Sequence, residues 1–379
     1  MISVKSSRLS LILSTAFLVA GCSSAPKESA GTAASNGPDI AADTAPAATT
    51  STAAQPIDKA KIDSALKAAH SKYKGLKEGK NADYIPALAE VPSDLYGIAL
   101  VTPDGEVHSV GDVKRPFAIE SISKVFTLAE VLQESGEKKI TGSVGVDATG
   151  DVFNSIDAIE KNKGRDMNPF VNPGAIATTS MVKGKTADEV WTKILGIHEA
   201  FAGRKLDVNE KVYQSEAATN QRNQAIGQLM LAYEILKGDP KQATDIYTKQ
   251  CSINVTARDL AIMAGTLANG GINPVTHKRV IDQKHVKSIL AVMATAGLYD
   301  TSGQWLFMTG LPGKSGVGGG LIAVSPGKFG IAAFSPPLDA AGNSVRAQKA
   351  IADISTAIGG NPYDVRPVAE KKEAVASSK

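Results

Sequence analysis

Two predicted β-hairpins lie far apart in this sequence, and a long stretch of helical pattern separates them. The first pairs residues 95–101 with residues 106–110 around the turn at residues 102–105. The second pairs residues 320–324 with residues 330–334 around a Ser-Pro-Gly turn. Hairpins this far apart in the chain can share one antiparallel sheet only if the intervening helices pack beside it.

The helical pattern between and after the hairpins predicts four clear helices, over residues 186–202, 221–236, 256–269 and 344–358. The third begins with a capping-box pattern at Thr256 and ends at a Gly-Gly pair. We therefore predict an α+β fold, in which helices flank an antiparallel sheet and an all-helical subdomain lies between the hairpins.

The first 22 residues resemble the signal segment of a bacterial lipoprotein. Lys5 and Arg8 precede an apolar run over residues 9–20, which is too short for a typical membrane span. The run ends in Leu-Val-Ala-Gly-Cys, which resembles a lipobox and predicts lipidation of Cys22. An ordinary cleaved signal or a chance apolar start is the alternative. The residue after the cysteine is Ser23, which favours the periplasmic face of the outer membrane in enterobacteria-like sorting. We expect a lipid-anchored protein of the bacterial cell envelope.

The segments that follow divide the rest of the chain. Residues 23–57 are rich in Ala, Ser, Thr, Gly and Pro and cannot bury enough apolar surface to fold, so we expect a flexible tether. Residues 58–366 form the predicted domain, and residues 367–379 a polar tail. The chain has two cysteines. With Cys22 lipidated, Cys251 has no intramolecular partner, so we interpret it as a buried small apolar residue, with a nucleophilic role as the alternative.

The charge and the histidines exclude several classes of partner. The net charge is only +3, and no basic run is interleaved with aromatic residues, so nucleic acid is not expected to bind. The five histidines show no ligand spacing, so we expect no metal, and no organic cofactor is implied.

The sequence Ser-Ile-Ser-Lys at residues 121–124 carries the first chemical signal. Ser121 and Lys124 lie three residues apart at a predicted helix start, where a lysine can act as base for a serine nucleophile and the helix dipole favours negative charge. Serine β-lactamases and penicillin-binding proteins place their nucleophile in this pattern. An ordinary helix start with a solvated lysine is the alternative.

The glycine-rich stretch at residues 313–320 supplies the second signal. It is not a P-loop, because Met308 stands where the first glycine of that motif belongs and because the stretch opens a strand rather than a helix. Lys314-Ser315-Gly316 instead matches the Lys-Ser/Thr-Gly strand motif of the same enzyme group. A chance pair of short motifs is the alternative.

The third motif of that group, Ser-x-Asn, is less convincing. Ser252-Ile253-Asn254 has the letters, but it directly precedes the Thr256 cap and lies too close in sequence to Lys314. We interpret it as the segment leading into a helix, so the β-lactamase assignment is incomplete.

Beyond these motifs, most of the predicted domain resembles the serine-dependent glutaminase family, which has the serine β-lactamase-like fold. The resemblance covers residues 83–365 and rests on many motifs in one order: Tyr84-Ile85-Pro86-Ala87-Leu88-Ala89, Glu120-Ser121-Ile122-Ser123-Lys124, Asn168-Pro169-Phe170-Val171-Asn172, Val212-Tyr213-Gln214-Ser215-Glu216, Arg222-Asn223, Cys251-Ser252-Ile253-Asn254-Val255-Thr256, Leu267-Ala268-Asn269-Gly270-Gly271, Tyr299-Asp300-Thr301-Ser302-Gly303 and Ser335-Pro336-Pro337-Leu338-Asp339.

The resemblance implies hydrolysis of L-glutamine to L-glutamate and ammonia, with Ser121 as the nucleophile and Lys124 as its base. We expect burial and a nearby positive Lys314 to keep Lys124 neutral. It implies that backbone amides stabilise the oxyanion and that Tyr299 or Tyr84 assists proton transfer. The residues implied to contact glutamine are Ser121, Asn172, Glu216, Asn223, Tyr247, Tyr299 and the backbone of Val317. An amino acid needs such a set, because an acid can pair with its ammonium group and Asn or Tyr donors can hold its carboxylate.

The chain departs from the family pattern at a few points. Pro173 follows Asn172 and restrains it toward extended geometry, whereas Gln214 and Glu120 replace commoner residues and look neutral. The lipoprotein signal is unusual, because family members are typically cytosolic or mitochondrial. The family also implies a homodimer or homotetramer. A β-lactamase or transpeptidase, and a catalytically inactive binding lipoprotein, are the alternatives from other functional classes.

Overall fold

The computed structural model describes residues 57–161 and 167–365. The predicted signal segment, Cys22, the predicted tether except Ile57, and the predicted polar tail lie outside the described residues. Within the described ranges, no helix is both long and apolar enough to cross a membrane.

Seven strands and fourteen α-helices are assigned in the described residues. The strands are β1 (Gly97–Val101), β2 (Val107–Gly111), β3 (Phe117–Ala118), β4 (Asn254–Val255), β5 (Gly313–Ser315), β6 (Gly320–Ser325) and β7 (Phe329–Phe334). The helices are α1 (Lys59–Tyr73), α2 (Pro86–Ala89), α3 (Ser123–Ser135), α4 (Glu137–Ser143), α5 (Asp157–Glu160), α6 (Asn172–Ser180), α7 (Ala187–Ala202), α8 (Glu210–Thr219), α9 (Gln221–Ala232), α10 (Pro240–Cys251), α11 (Ala257–Ala268), α12 (Gln283–Ala296), α13 (Ser302–Thr309) and α14 (Val345–Ile358).

The two predicted hairpins join in one antiparallel sheet with the strand order β2-β1-β7-β6-β5. The two hairpins meet where β1 pairs with β7, with Ala99 opposite Ala332. The predicted α+β architecture is confirmed.

Both faces of this sheet are covered, which explains why its inner strands are almost continuously apolar. Along β1, Ile98 and Leu100 pack into one core, on the α1 and α14 side, while Ala99 and Val101 pack into another, on the α3 and α11 side. The second core is continuous with α7 and α12 and includes Ile122, next to Ser121. The helix that follows Ser121 is therefore anchored in the larger core.

The predicted helical subdomain is present as helices α4 to α10, most of which surround a smaller core that includes Met167, Ile176 and Tyr247. A small sheet borders it, because β3 pairs with β4 and so joins the segment before Ser121 to the segment after α10. Two-residue strands have no readable periodicity, and the sequence did not predict this pair.

Two of the predicted boundaries differ by more than one residue from those observed. The first strand begins at Gly97 rather than residue 95, because the Tyr96 amide donates to Asp112 Oδ2 at 2.9 Å instead of entering the ladder. Helix α9 ends at Ala232 rather than at residue 236. Two residues after this end, Glu234 has a positive φ of 59°, a left-handed conformation that does not continue a right-handed helix. The capping box at Thr256 is confirmed.

Candidate active site

Ser121 lies in a single 3₁₀ turn, Glu120–Ile122, between β3 and α3. The residue before it, Glu120, has a positive φ of 52°, a backbone conformation that costs free energy and is common near functional sites. The turn brings the largely buried Ser121 to the wall of a cavity of about 110 Å³.

Lys124 lies one turn further on, in the first turn of α3, and its side chain is only 2% exposed. Its Nζ donates to Asn172 Oδ1 at 2.8 Å and to the Phe170 carbonyl at 3.4 Å. No hydrogen bond between the described residues joins Lys124 to Ser121, so proton transfer between them needs a small side-chain movement or a bridging water.

Burial lowers the pKa of Lys124 to about 8, and the nearby Cys251, Glu120 and Glu216 oppose that lowering. The sequence also led us to expect a contribution from a positive Lys314. That contribution is not seen; instead burial, and secondly Lys124, hold the pKa of Lys314 well below its ordinary value. Lys124 is thus able to supply a neutral amine near neutral pH.

Asn172, the first residue of α6, organises the cavity wall beside Lys124. Its Oδ1 also accepts a hydrogen bond from the Tyr247 hydroxyl at 3.1 Å, and its Nδ2 donates to Asn223 Oδ1 at 3.0 Å. Helices α6, α9 and α10 therefore meet at the side-chain amide of Asn172. The side-chain nitrogen of Asn223, Nδ2, makes no hydrogen bond within the described residues.

The segment before Asn172 is held by the buried Asn168. Its Nδ2 donates to the Val146 and Asp147 carbonyls, both at 2.9 Å, and its Oδ1 accepts from the Phe170 amide at 2.9 Å. This bracing explains why the motif extends over residues 168–172, and not over Asn172 alone.

The glycine-rich loop after β5 packs directly against the Ser121 turn. A Cβ at Gly316 would lie 2.8 Å from the Ile119 carbonyl oxygen, and one at Gly318 would lie 2.6 Å from the Ala118 carbonyl oxygen. Only glycine allows this approach. It brings the Val317 backbone to the cavity that Ser121 lines.

The backbone N–H groups of Ser121 and Val317 make no hydrogen bond within the described residues. Two free donors beside one nucleophile are the arrangement that stabilises an oxyanion in acyl transfer.

Tyr299 closes the site from the β5 side. Its hydroxyl donates to the Ser315 carbonyl at 3.4 Å, and its ring packs on Phe153 with centroids 5.0 Å apart. Lys314 Nζ lies 4.3 Å from the ring centroid and donates to the carbonyls of Gly297 and Ser315. Burial raises the pKa of Tyr299 to about 12, opposed by its neighbours Ser121 and Ser315. The hydroxyl therefore keeps its proton and can donate it.

Two acidic residues, Glu120 and Glu216, also line the cavity. Burial raises the pKa of Glu216, on α8, to about 8, and burial together with the charge of Glu216 holds the pKa of Glu120 well above its ordinary value. Glu216 was expected here, whereas the sequence analysis treated Glu120 as a neutral departure. Its position next to the nucleophile was the one signal that pointed to the site.

Most predicted site residues line the same cavity: Tyr84, Ser121, Asn172, Glu216, Asn223, Tyr247 and Val317. Lys124 and Tyr299 lie directly beside them, through the contacts described above. Tyr84 is 53% exposed and makes no side-chain hydrogen bond within the described residues, so it lies at the rim. The roles of these residues toward a ligand stay predictions.

Two further features complete the site. Phe153, Asn154 and Arg222 also line the cavity, although their side chains were not predicted as site residues. The Cys251 thiol is buried in the wall, and burial holds its pKa well above the ordinary value, which fits its interpretation as an unreactive side chain.

No group of three His, Cys, Asp or Glu residues able to hold a metal occurs in the described ranges.

The Ser-x-Asn letters at residues 252–254 do not belong to this site. Ser252 Oγ donates to the Thr248 carbonyl, and Asn254 Nδ2 donates to Asp207 Oδ2. The interpretation as a segment leading toward the Thr256 cap is confirmed, with the addition that residues 254–255 form β4.

Comparison with known proteins agrees with the geometry. Residues 79–363 match the family model described as Glutaminase. A curated glutaminase from Colwellia psychrerythraea is 53% identical over 302 residues, which cover 80% of this chain and 97% of that protein.

Two solved structures are similar throughout the domain. A probable glutaminase, ybaS, is 47% identical with a TM-score of 0.80 and covers 82% of this chain and 100% of its own. The protein Mglu in its glutamate form is 34% identical with a TM-score of 0.77 and covers 81% of this chain and 71% of its own. The resemblance found in the sequence is confirmed: the chain belongs to the serine-dependent glutaminase family.

Proposed function

We propose that this glutaminase hydrolyses L-glutamine to L-glutamate and ammonia through a γ-glutamyl ester on Ser121, with Lys124 as the base. The observation that carries the proposal is the combination around one cavity of a serine, a buried lysine of lowered pKa and two free backbone N–H donors. This set supplies the nucleophile, base and oxyanion stabilisation that amide hydrolysis needs.

In the acylation step, neutral Lys124 takes the Ser121 proton and Ser121 Oγ attacks the side-chain amide carbon of glutamine. The backbone amides of Ser121 and Val317 hold the oxyanion, an effect of about 3–4 kcal/mol for each donor. The amide nitrogen accepts a proton and leaves as ammonia. Tyr299 is the better placed tyrosine to donate this proton, because it is buried beside Ser121 whereas Tyr84 is at the rim, and the proton that Lys124 took from Ser121 then returns to the Tyr299 oxygen. Water then hydrolyses the ester and restores Ser121.

Recognition of the substrate follows from the charges around the cavity. Glu216 pairs with the α-ammonium group, and the free Asn223 amide nitrogen donates to the α-carboxylate. Asn172 and Tyr247 shape the wall against which the substrate lies. The similar protein Mglu was solved in a glutamate form, which supports glutamate as the product of the proposed reaction.

The test is ammonia release from glutamine by protein lacking residues 1–22. We expect Ser121→Ala to abolish turnover and the neighbouring Ser123→Ala, which removes a hydroxyl from the same segment, to retain it in the folded protein. Unchanged activity in Ser121→Ala would rule out the mechanism. Rapid labelling of Ser121 by penicillin would instead favour a β-lactamase or transpeptidase, and a folded protein without any ammonia release would favour a binding lipoprotein.

We further propose that lipid at Cys22 anchors the enzyme in the cell envelope, on the periplasmic face of the outer membrane, and that the enzyme forms a homodimer or homotetramer. The lipobox-like residues 18–22 support the anchor. Cells given a labelled fatty acid should incorporate it into the intact chain and not into Cys22→Ala. A Cys22→Ala protein that is labelled to the same extent contradicts the anchor, and light scattering that gives the mass of a monomer contradicts the oligomer.

A further inference from the structure

The acid pair Glu120 and Glu216 has a geometry that binding of an ammonium group alone does not require. Both residues line the same small cavity, one oxygen of each carboxyl group is buried, and the charge of Glu216 raises the pKa of Glu120. Two carboxylates confined to one site repel each other, and a single proton held by the pair removes that repulsion. The pair therefore holds a proton when the site is empty.

One oxygen of each carboxyl group has no donor. Glu120 is 2% exposed, and its Oε1, like Oε2 of Glu216, has no hydrogen-bond partner among the described residues. Buried acceptors without donors cost free energy, and both residues line the cavity proposed above to bind the α-ammonium group. Three N–H donors of one ammonium can satisfy both acids at once.

Glu120 is held in this position by the backbone. Its positive φ of 52° is a backbone conformation that few residues other than glycine adopt. Backbone atoms of Gly316 and Gly318 pack on it so closely that a Cβ at either position would lie 3.2 Å from Glu120 Cβ or Cγ. The loop that presents the Val317 amide therefore also fixes Glu120.

We propose that Glu120 and Glu216 form a proton-sharing pair that selects for the α-ammonium group, and that glutamine binding expels the shared proton to solvent. One positive charge replaces another, so the charge of the site does not change. Glu120 then acts as a second specificity-determining acid. The inference rests on the proposed role of Glu216 and deepens it.

Other ionisable groups lie around this pair. They are Lys124 from α3, Arg222 from α9, Tyr247 and Cys251 from α10, and the tyrosines Tyr84 and Tyr299. Lys124 opposes the raised pKa of both acids. Because its own pKa is about 8, a pH profile of activity alone would mix the two effects, and the number of protons released on binding is the better measurement.

The experiment counts protons by titration calorimetry of glutamine into Ser121→Ala protein at pH 6.5, in two buffers of different ionisation enthalpy. We expect release of about one proton per glutamine bound. When the isosteric Glu120→Gln is added to Ser121→Ala, the proton release at pH 6.5 should fall to less than about half of that value. The Kd for glutamine at pH 8.5 should rise about tenfold, because one charged hydrogen bond to the ligand is lost. Equal release by the two proteins would overturn the proposal.

A second measurement needs no substitution in the pair. Glutaramate is glutamine without its amino group, so its binding to Ser121→Ala protein should release no proton, whereas proton release equal to that of glutamine would overturn the proposal. The proton count and the proposed reaction can fail independently. Ammonia release by Ser121→Ala would contradict the reaction, whereas the number of protons released on binding tests only the acid pair.

Discussion

Asn172→Asp tests the proton state of Lys124 with a change of one atom. The carboxylate can still accept from Lys124 Nζ and from the Tyr247 hydroxyl, at the positions now 2.8 and 3.1 Å away. Two things change: the charge beside the amine, and the hydrogen bond from Nδ2 to Asn223 Oδ1, which is lost. A carboxylate in direct contact favours the ammonium form, so the pKa of Lys124 must rise.

The size of the effect follows from that pKa. An opposite charge in direct contact shifts a pKa by about 1–3, so we take about 2. With a pKa of about 8, about one quarter of the lysine is neutral at pH 7.5; with a pKa of about 10, about 0.3% is neutral. We therefore expect kcat at pH 7.5 to fall about 75-fold.

The assay is the pH profile of kcat for ammonia release. Because the neutral amine is the base, kcat of the unmodified enzyme should rise with pH through about 8. In Asn172→Asp the rise should move about 2 pH units higher. Asn223→Asp is the matched control, since it makes the same chemical change one hydrogen bond further from Lys124 and should move the midpoint less.

The result that refutes this reasoning is a lowered plateau with an unchanged midpoint near pH 8. It would mean that Asn172 acts only through binding or folding. A thermal melt of each variant separates loss of folded protein from loss of the base.

Two further changes test the loop and the tyrosine. Gly318→Ala places a methyl group 2.6 Å from the Ala118 carbonyl oxygen, so the loop must shift and kcat should fall about tenfold or more; Gly303→Ala, where no atom lies within 4 Å, should leave kcat unchanged, and equal effects would contradict the packing argument. Tyr299→Phe should lower kcat about a hundredfold with little change in KM if the hydroxyl transfers a proton. Tyr213→Phe, whose hydroxyl donates to a carboxylate outside the cavity, should have full activity, and full activity of Tyr299→Phe would remove that residue from the chemistry.

The fold was largely predictable because its main signals are local. Turns, continuous apolar strands and the cap at Thr256 each lie within a few residues, and their order defines the sheet. The β3–β4 pair was not predictable, since 135 residues, 119–253, separate its two strands, and each strand is too short for a pattern.

The site was predictable where a motif places residues together, as for Ser121 and Lys124. Contacts between distant helices were not readable in the same way, because Asn172, Asn223 and Tyr247 meet only once α6, α9 and α10 pack. Glu120 shows the limit most clearly. Its chemistry depends on a second acid on another helix, so the sequence alone presented it as a neutral exchange.

The central claim is a covalent γ-glutamyl ester on Ser121, and trapping that ester tests it most directly. Enzyme mixed with isotope-labelled glutamine is quenched in acid within one turnover, digested and mapped by mass spectrometry. The label should lie on the peptide that contains Ser121, be released by hydroxylamine, and be missing from Ser121→Ala. Label on Cys251, or turnover with no labelled peptide at any quench time, would contradict the claim.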